Sequence, residues 1–305
     1  MTYFAQQLVN GLTLGGVYAL IALGYTLVYG VLQILNFAHG DVYMIGAFLG
    51  YFVEIALGGP AHSRVPVPVM IFIMFAVSMI GTGLLGMVIE RFAYRPLRKS
   101  TRIAPLISAL GVSILLQNAA LLLFSANVRT YDTSTFIPST LGFSLGNVTI
   151  DSVRLFVLIL ALLLMFALSR WVNKTQVGRA MRAIAVDRDA AVMMGIDIDR
   201  VIRWTFFVSA ALAGAAGVTN GLMLRGVSSG MGFVPGLKGF TAAVIGGIGS
   251  IPGAMFGGLL LGIVESLTQG YLSTNFSDFY TFVLLIAVML LRPNGLFGKK
   301  AIVKA

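Results

Sequence analysis

LFVLILALLLMFAL, residues 155–168, settles the fold class of this chain. A strand crossing an outer membrane would alternate apolar and polar residues over about ten positions. This run does not alternate, and it is apolar on every face. In hydrocarbon each backbone N–H and C=O must be satisfied within the segment, which leaves a helix. A crossing takes about 20 apolar residues, and this one extends over 153–170. Further spans are expected near 9–31, 40–58, 68–90, 104–124, 204–224 and 279–291. The block 238–270 is too long for one straight crossing and short for two. Its centre, Gly249-Ser250-Ile251-Pro252-Gly253, predicts two abbreviated helices meeting at a break. The fold class expected is therefore all-α, a polytopic bundle of about eight (seven to nine) transmembrane helices, some short or broken, with 1–305 as a single transmembrane domain.

Composition agrees. The 305 residues are 58% hydrophobic and 10% charged, with mean hydropathy +0.93. Soluble domains carry roughly 25% charged residues. The absence of cysteine excludes disulfides, thiolate catalysis and cysteine metal sites. His39 and His62 are the only histidines, too few for a metal centre. Basic residues concentrate in three places: Arg91, Arg95, Arg98, Lys99 and Arg102; Arg170, Lys174, Arg179, Arg182, Arg188, Arg200 and Arg203; and Arg292, Lys299, Lys300 and Lys304. The positive-inside rule puts all three in the cytoplasm, with the 125–152 loop and the N-terminus outside. The net charge of +10 is thus what topology requires, and no nucleic-acid partner is expected. The first basic residue is Arg64, so the opening apolar run reads as a retained span rather than a cleaved signal.

Catalytic signatures are missing. The nearest approach to a phosphate loop, GFVPGLKG (232–239), breaks the pattern at Leu237 and Gly239. H-E-x-x-H does not occur, and no G-x-S-x-G arrangement or spaced carboxylate pair suggests catalysis. An enzyme is not expected, and ATP hydrolysis by this chain is not either.

Three constellations remain. In WVNKTQVGRAMRAIAVDRDAAVMMGIDIDRVIR (171–203), alanines favour a helix over about 180–195, which Gly195 ends. It reads either as a solvated surface helix or as a compact docking knob, with Arg182, Asp187, Asp189, Ala190, Ala191, Met194 and Gly195 as the candidate contacts. The run Asn36-Phe37-Ala38-His39-Gly40-Asp41 interrupts apolar sequence. It is either a tight turn or a broken helix lining a transport path, for which Asn36, Phe37, His39, Gly40 and Asp41 are the candidates. The glycine-dense block 238–254 is either close helix packing or a cavity wall, with Thr241, Gly246, Gly247 and Gly249 as candidates. Residues 36–40 faintly echo 232–236, which raises the hypothesis of a structural repeat. Of the remaining polar residues, Glu54 and Glu90 are expected in water at span ends. Glu265 is expected to pair with Arg225 at a helix interface, or to face a lumen. Gln117 and Asn118 are expected at helix–helix contacts.

Asp189-Ala190-Ala191-x-x-x-Gly195 resembles the E-A-A-x-x-x-G loop of ABC-importer permeases, with Asp in place of Glu. NFAHGDVYMIGAF (36–48), ERFAYRPLR (90–98), LISALGVSILLQN (106–118), GIDIDRVI (195–202) and KGFTAAVIGGIGSIPGAMFGGLLLGI (238–263) extend the likeness nearly end to end. The chain resembles the H-type permease subunit of branched-chain amino-acid (leucine/isoleucine/valine) importers. That resemblance implies a multi-pass protein of the bacterial inner membrane, held in lipid, which binds no cofactor itself. Two cytoplasmic ATP-binding subunits would hydrolyse ATP and drive it through the 180–195 helix. A second, homologous permease and a periplasmic amino-acid-binding protein would complete the importer. Related permeases for urea, amides or other amino acids remain alternatives, as does an ion-coupled secondary transporter using Glu265.

Overall fold

The structure is a computed structural model that describes residues 2–59, 65–98, 100–101, 103–131, 143–145 and 148–298, the last strands of the outer loop by backbone alone. His62, Arg64, Lys99, Arg102, Lys299, Lys300 and Lys304 lie outside the described residues, as does most of the 125–152 loop.

The described chain is a helical bundle. Its elements are α1 (Thr2–Leu32), α2 (His39–Ala56), α3 (Val67–Ile89), α4 (Ile103–Phe124), α5 (Ser152–Lys174), α6 (Gln176–Val186), α7 (Arg188–Met193), α8 (Ile198–Leu224), α9 (Phe233–Gly246), α10 (Ile251–Tyr271) and α11 (Ser277–Leu291). Among the described residues, six helices are long and apolar enough to cross a membrane, α3 being counted with its continuation to Leu97. The shorter α2, α9 and α11 complete the bundle. Each expected span has a counterpart, and the 238–270 block is indeed two helices. Gly247 and Gly249 hold φ of +105° and +92°, values that side chains rarely adopt. Ser250 caps α10 by accepting from Gly253 N at 3.3 Å, and Pro252 lies in its first turn.

α1 is the central post. It is apolar all round, as an enclosed helix must be, and 89% of its span window is buried against 22% for α4, which faces outward. Lipid tails supply no hydrophobic drive between helices, so close backbone approach has to hold them together. α1 and α10 run antiparallel with glycine on both sides of the seam. A Cβ on Gly15 would come 2.8 Å from Leu259 Cα, and one on Gly11 2.6 Å from Ile263 Cα. α3 and α8 make the matching antiparallel pair, with Gly86 against Phe206 and Gly214 against Ser78. Ser78 shares its hydroxyl proton between the carbonyls of Gly46 (2.9 Å) and Gly214 (3.1 Å), tying α2, α3 and α8.

This pairing bears on the repeat. A long helix, a break, a short helix and two further helices follow in the same order twice, as α1–α4 and as α8–α11. The first helix of each half packs on the third helix of the other, and α1 and α8 run in opposite directions. The halves are therefore inverted copies in arrangement, with α5–α7 between them.

Small antiparallel ladders fasten the end away from the basic loops. β1 (Arg129–Thr130) pairs with β4 (Gly226–Val227), and β2 (Phe143–Leu145) with β3 (Val148–Ile150). Tyr131, fully buried, donates its hydroxyl to Ala47 O and its N–H to Arg225 O (3.2 Å).

Gly258 lies on Ala19 in the α1–α10 seam, whereas Gly111 on α4 has nothing within 4 Å of an added Cβ. Gly258→Leu should overpack the seam, at about 1–3 kcal/mol or more. In detergent it should melt at a clearly lower temperature than wild type or lose monodispersity on size exclusion, while Gly111→Leu should match wild type.

Candidate functional site

Two broken segments meet in the middle of the bundle. Gly232 lies on Gly40 backbone to backbone, and a Cβ on Gly40 would come 2.9 Å from Gly236 Cα. The N-terminal ends of α2 and α9 thus face one another. Asn36 and Asp41, both buried, are fixed here by separate helices. Asn36 Oδ1 accepts from Tyr94 OH at 2.9 Å. Asp41 accepts from Ser113 and from Gln117 Nε2 (3.0 Å), joining α2 to α4. His39 meets Tyr25 edge-on at 4.7 Å, and Phe37 meets Phe240 at 6.2 Å between ring centres. Thr241 is buried one turn beyond Leu237, with no hydrogen-bond partner for Oγ1 among the described residues. The space left between Phe37, Asp41, Ser113 and Phe233 is about 40 Å³, room for water but far below the roughly 300 Å³ of a small-molecule site. The junction is closed.

The nine residues expected along one path fall into two places. Gly246, Gly247 and Gly249 sit at the basic end, at the corner between α9 and α10. Residues 292–298 fold over that corner: Leu296 N and Phe297 N donate to the carbonyls of Ile245 and Gly246, each at 2.9 Å. The Phe297 ring meets Phe256 at 5.3 Å. The carbonyls left free where α9 ends are thereby satisfied.

Glu265 does not pair with Arg225. Its Oε1 accepts from Lys238 Nζ at 2.7 Å and from Gln269 Nε2 at 3.1 Å. Lys238 also holds Asp278 at 2.6 Å. Lys238 on α9 and Glu265 on α10 lie on opposite sides of the 247–250 break, and the antiparallel turn from α9 into α10 brings their side chains within reach of each other. Arg225 closes α8 in the left-handed region, φ +56°, and its carbonyl serves Tyr131. The sequence offered that signal, a lone lysine in an apolar block facing a lone glutamate, and Arg225 distracted from it.

Glu54 and Glu90 are also not in water; each is buried. After Ile89 the α3 helix widens into a π turn, Glu90–Tyr94, and tightens into a 3₁₀ turn, Arg95–Leu97. Glu90 continues the buried line of Ser78, Thr82 and Gly86, and Tyr94 is buried as well. Glu90 binds Arg98, whose other nitrogen binds Asp199 at 2.6 Å; Arg95 binds Asp199 at 2.6 Å as well. The end of α3 is thereby clamped to the start of α8. Gln117 lies at a helix–helix contact as expected, while Asn118 bonds only its own helix, at Ile114 O (2.8 Å).

The expected 180–195 helix is two helices broken at Asp187. Thr175 caps α6 through Gly178 N (3.1 Å). Asp187 caps α7 by accepting from Asp189 N (3.0 Å) and Ala190 N (3.1 Å). An acceptor in extended conformation at this position starts a new helix rather than continuing the old one. Gly195, at φ +78°, then ends α7, with Ile196 N returning to Ala191 O at 3.1 Å. Ala191 is buried toward the bundle, while Met193 and Met194 are 81% and 82% exposed. Asp189 and Ala190 are exposed beside them. Arg182 points elsewhere: it donates to Val172 O and tethers α6 to the end of α5.

A polytopic bundle with a mid-bundle pair of broken helices, buried ion pairs and a protruding polar helix defines the class: a membrane permease. The particular family follows from the comparisons. The family model described as "Branched-chain amino acid transport system / permease component" matches residues 7–289. The chain is 43% identical over 305 residues to the high-affinity branched-chain amino acid transport system permease protein BraD of Pseudomonas aeruginosa, covering 99% of this chain and 98% of that one. It is 42% identical over 315 residues to LivH of Escherichia coli, described in the same words, with the same two coverages. A probable LivH of Methanocaldococcus jannaschii is 30% identical over 92% of this chain and 88% of its own. This chain belongs to the branched-chain amino-acid transport permease family, and it is a multi-pass inner-membrane transport component rather than an enzyme.

Arg98 and Glu90 are both nearly fully buried, with side chains 7% and 3% exposed. Removing one partner of such a pair costs about 3–5 kcal/mol, far more than removing both. Arg98→Gln should therefore melt well below wild type in detergent, and Arg98→Met/Glu90→Met should recover much of that loss.

Proposed function

We propose that this chain forms half of the translocation path of an ATP-driven importer of branched-chain amino acids in the bacterial inner membrane. The single observation that carries the coupling is the shape of α7: a short helix capped at Asp187 and stopped at Gly195, with Ala191 turned into the bundle and Met193-Met194 turned out. Exposed methionines are an adaptable surface for a partner's groove. Two cytoplasmic ATP-binding subunits are the partners proposed for it. A second, homologous permease would supply the other half of the path, and a periplasmic binding protein would deliver the amino acid. The chain binds no ATP itself.

Force applied at α7 has three stiff routes inward. Arg182 carries it to the end of α5. The Asp197 cap, accepting from Arg200 N at 3.1 Å, carries it into α8. Asp199 passes it through Arg95, Arg98 and Glu90 to α3. α3 and α8 pack on α2 and on each other, so a tilt of this pair acts on the Gly40–Gly232 junction. Opening that junction, with no bond made or broken in this chain, is the transport step proposed.

In the importer reconstituted from both permeases, both ATP-binding subunits and the binding protein, Asp189→Lys and Gly195→Val should each leave the complex assembled while lowering leucine uptake per ATP hydrolysed by about tenfold. Met193→Glu/Met194→Glu should release the ATP-binding subunits on affinity purification. Normal uptake by both single variants in an intact complex would end the assignment of α7 as the coupling element.

A further inference from the structure

α1, α5, α8 and α10 enclose a second, larger cavity of about 360 Å³ in the half of the bundle away from the basic loops, within the roughly 300–1,000 Å³ of small-molecule sites. Its walls carry two unbalanced charges. Arg154, in the first turn of α5, donates to Asn10 Oδ1 and has no carboxylate partner among the described residues. Glu265, 3% exposed, lines the same cavity. Oε1 of Glu265 takes both of its short contacts, the Tyr18 hydroxyl stands beside the carboxylate, and Oε2 is buried with no hydrogen-bond partner among the described residues. Lys238 does not balance it alone, because Lys238 is shared with Asp278. One lysine thus faces two carboxylates, while one arginine faces none.

Both residues line the cavity along α1, Arg154 beside Asn10 and the Glu265 carboxylate beside Tyr18. Ser266, next to Glu265, donates to Gln7 O at 2.9 Å, and Gln7 is one turn from Asn10 on α1. The apolar part of the wall includes Leu14, Val17 and Met223, beside the polar Thr13 and Asn220. Arg154 is half-buried and Glu265 buried; an unmatched buried charge is costly, and a ligand carrying both signs supplies a partner to each.

We infer that this cavity binds a free α-amino acid as its zwitterion, with the carboxylate on Arg154, the ammonium on Glu265 Oε2 and an apolar side chain against Leu14, Val17 and Met223. The proposal rests on the function proposed above for its substrate class. Reading both main-chain charges explains how a path can admit amino acids as a class and exclude the corresponding acids and amines. Water or a lone ion would satisfy one surplus only.

The test uses the full chain in lipid nanodiscs, irradiated with a diazirine analogue of leucine, with adducts mapped by mass spectrometry. Adducts should concentrate on residues 7–17 and 220–224. Excess leucine should suppress them about tenfold more effectively than leucinamide, which lacks the carboxylate, or 4-methylpentanoate, which lacks the ammonium, as expected for one lost charge-assisted contact. Arg154→Gln should erase the preference over leucinamide and keep the preference over 4-methylpentanoate, and Glu265→Gln should do the reverse. A structural role would lower both equally. Leu14→Trp, which fills the cavity and leaves the charges alone, should abolish labelling and covers the case in which the Glu265 variant fails to fold. Adducts scattered over outward-facing α4, or equal suppression by all three compounds, would overturn the proposal. Failed labelling beside an importer that still takes up leucine sinks the cavity alone; specific labelling beside an importer whose ATP hydrolysis leucine uptake does not need sinks the coupling alone.

Discussion

Backbone touching backbone at Gly40, Gly232 and Gly236 is the contact on which the rest of the bundle depends. Neither α2 nor α9 can begin where it does unless the other segment lacks a side chain at the meeting point. Because they begin there, each is short and the chain before each is non-helical at depth. Such backbone is tolerated only where protein buries it. Tyr25, Phe37 and Phe240 provide that cover, and Asp41 in the first turn of α2 gives the positive end of that helix a carboxylate.

The charged residues follow a different logic from the glycines. Glycines set how near two helices come, while the buried charges set which helices move as one. Glu90, Arg98, Arg95 and Asp199 make α3 and α8 a unit at the basic end. Lys238 does the same for α9, α10 and α11 towards the other end. Ion pairs of this kind contribute little net stability compared with apolar replacements. Their effect is to make relative sliding of these helices costly. Arg182, which looked from its loop position like part of a docking surface, belongs to the same stiffening set.

Much of this architecture was legible in the amino-acid sequence. Long apolar runs and the Gly-Ser-Ile-Pro-Gly interruption give the helices and the break, because chain length against bilayer thickness is a one-dimensional constraint. Glycine at 195 marked the end of α7, whereas Ala191, expected among the docking contacts, is turned into the bundle. What the sequence hid depends on pitch or on distant partners. Glu90 is buried against Arg98, against the expectation of a solvated span end, and no residue pattern in ERFAYRPLR announces the π turn that follows Ile89. Asp187 breaks a helix that the surrounding alanines would have continued. The two-place split of the glycine candidates reflects the antiparallel return of α9 into α10, which moves Gly246, Gly247 and Gly249 a helix length from Gly40. The coarse family was written in the residues; the path that substrate takes was not.

The inverted halves give α5 a role that its own contacts do not reveal. Four membrane helices return a chain to the side on which it started, so a second set of four joined directly to the first would insert the same way up. One further passage reverses it. α5 supplies this odd crossing, and with it the parity that lets Gly232 arrive at Gly40 from the opposite direction. Its sequence can therefore be almost featureless, as LFVLILALLLMFAL is, because what it contributes is a count rather than a surface.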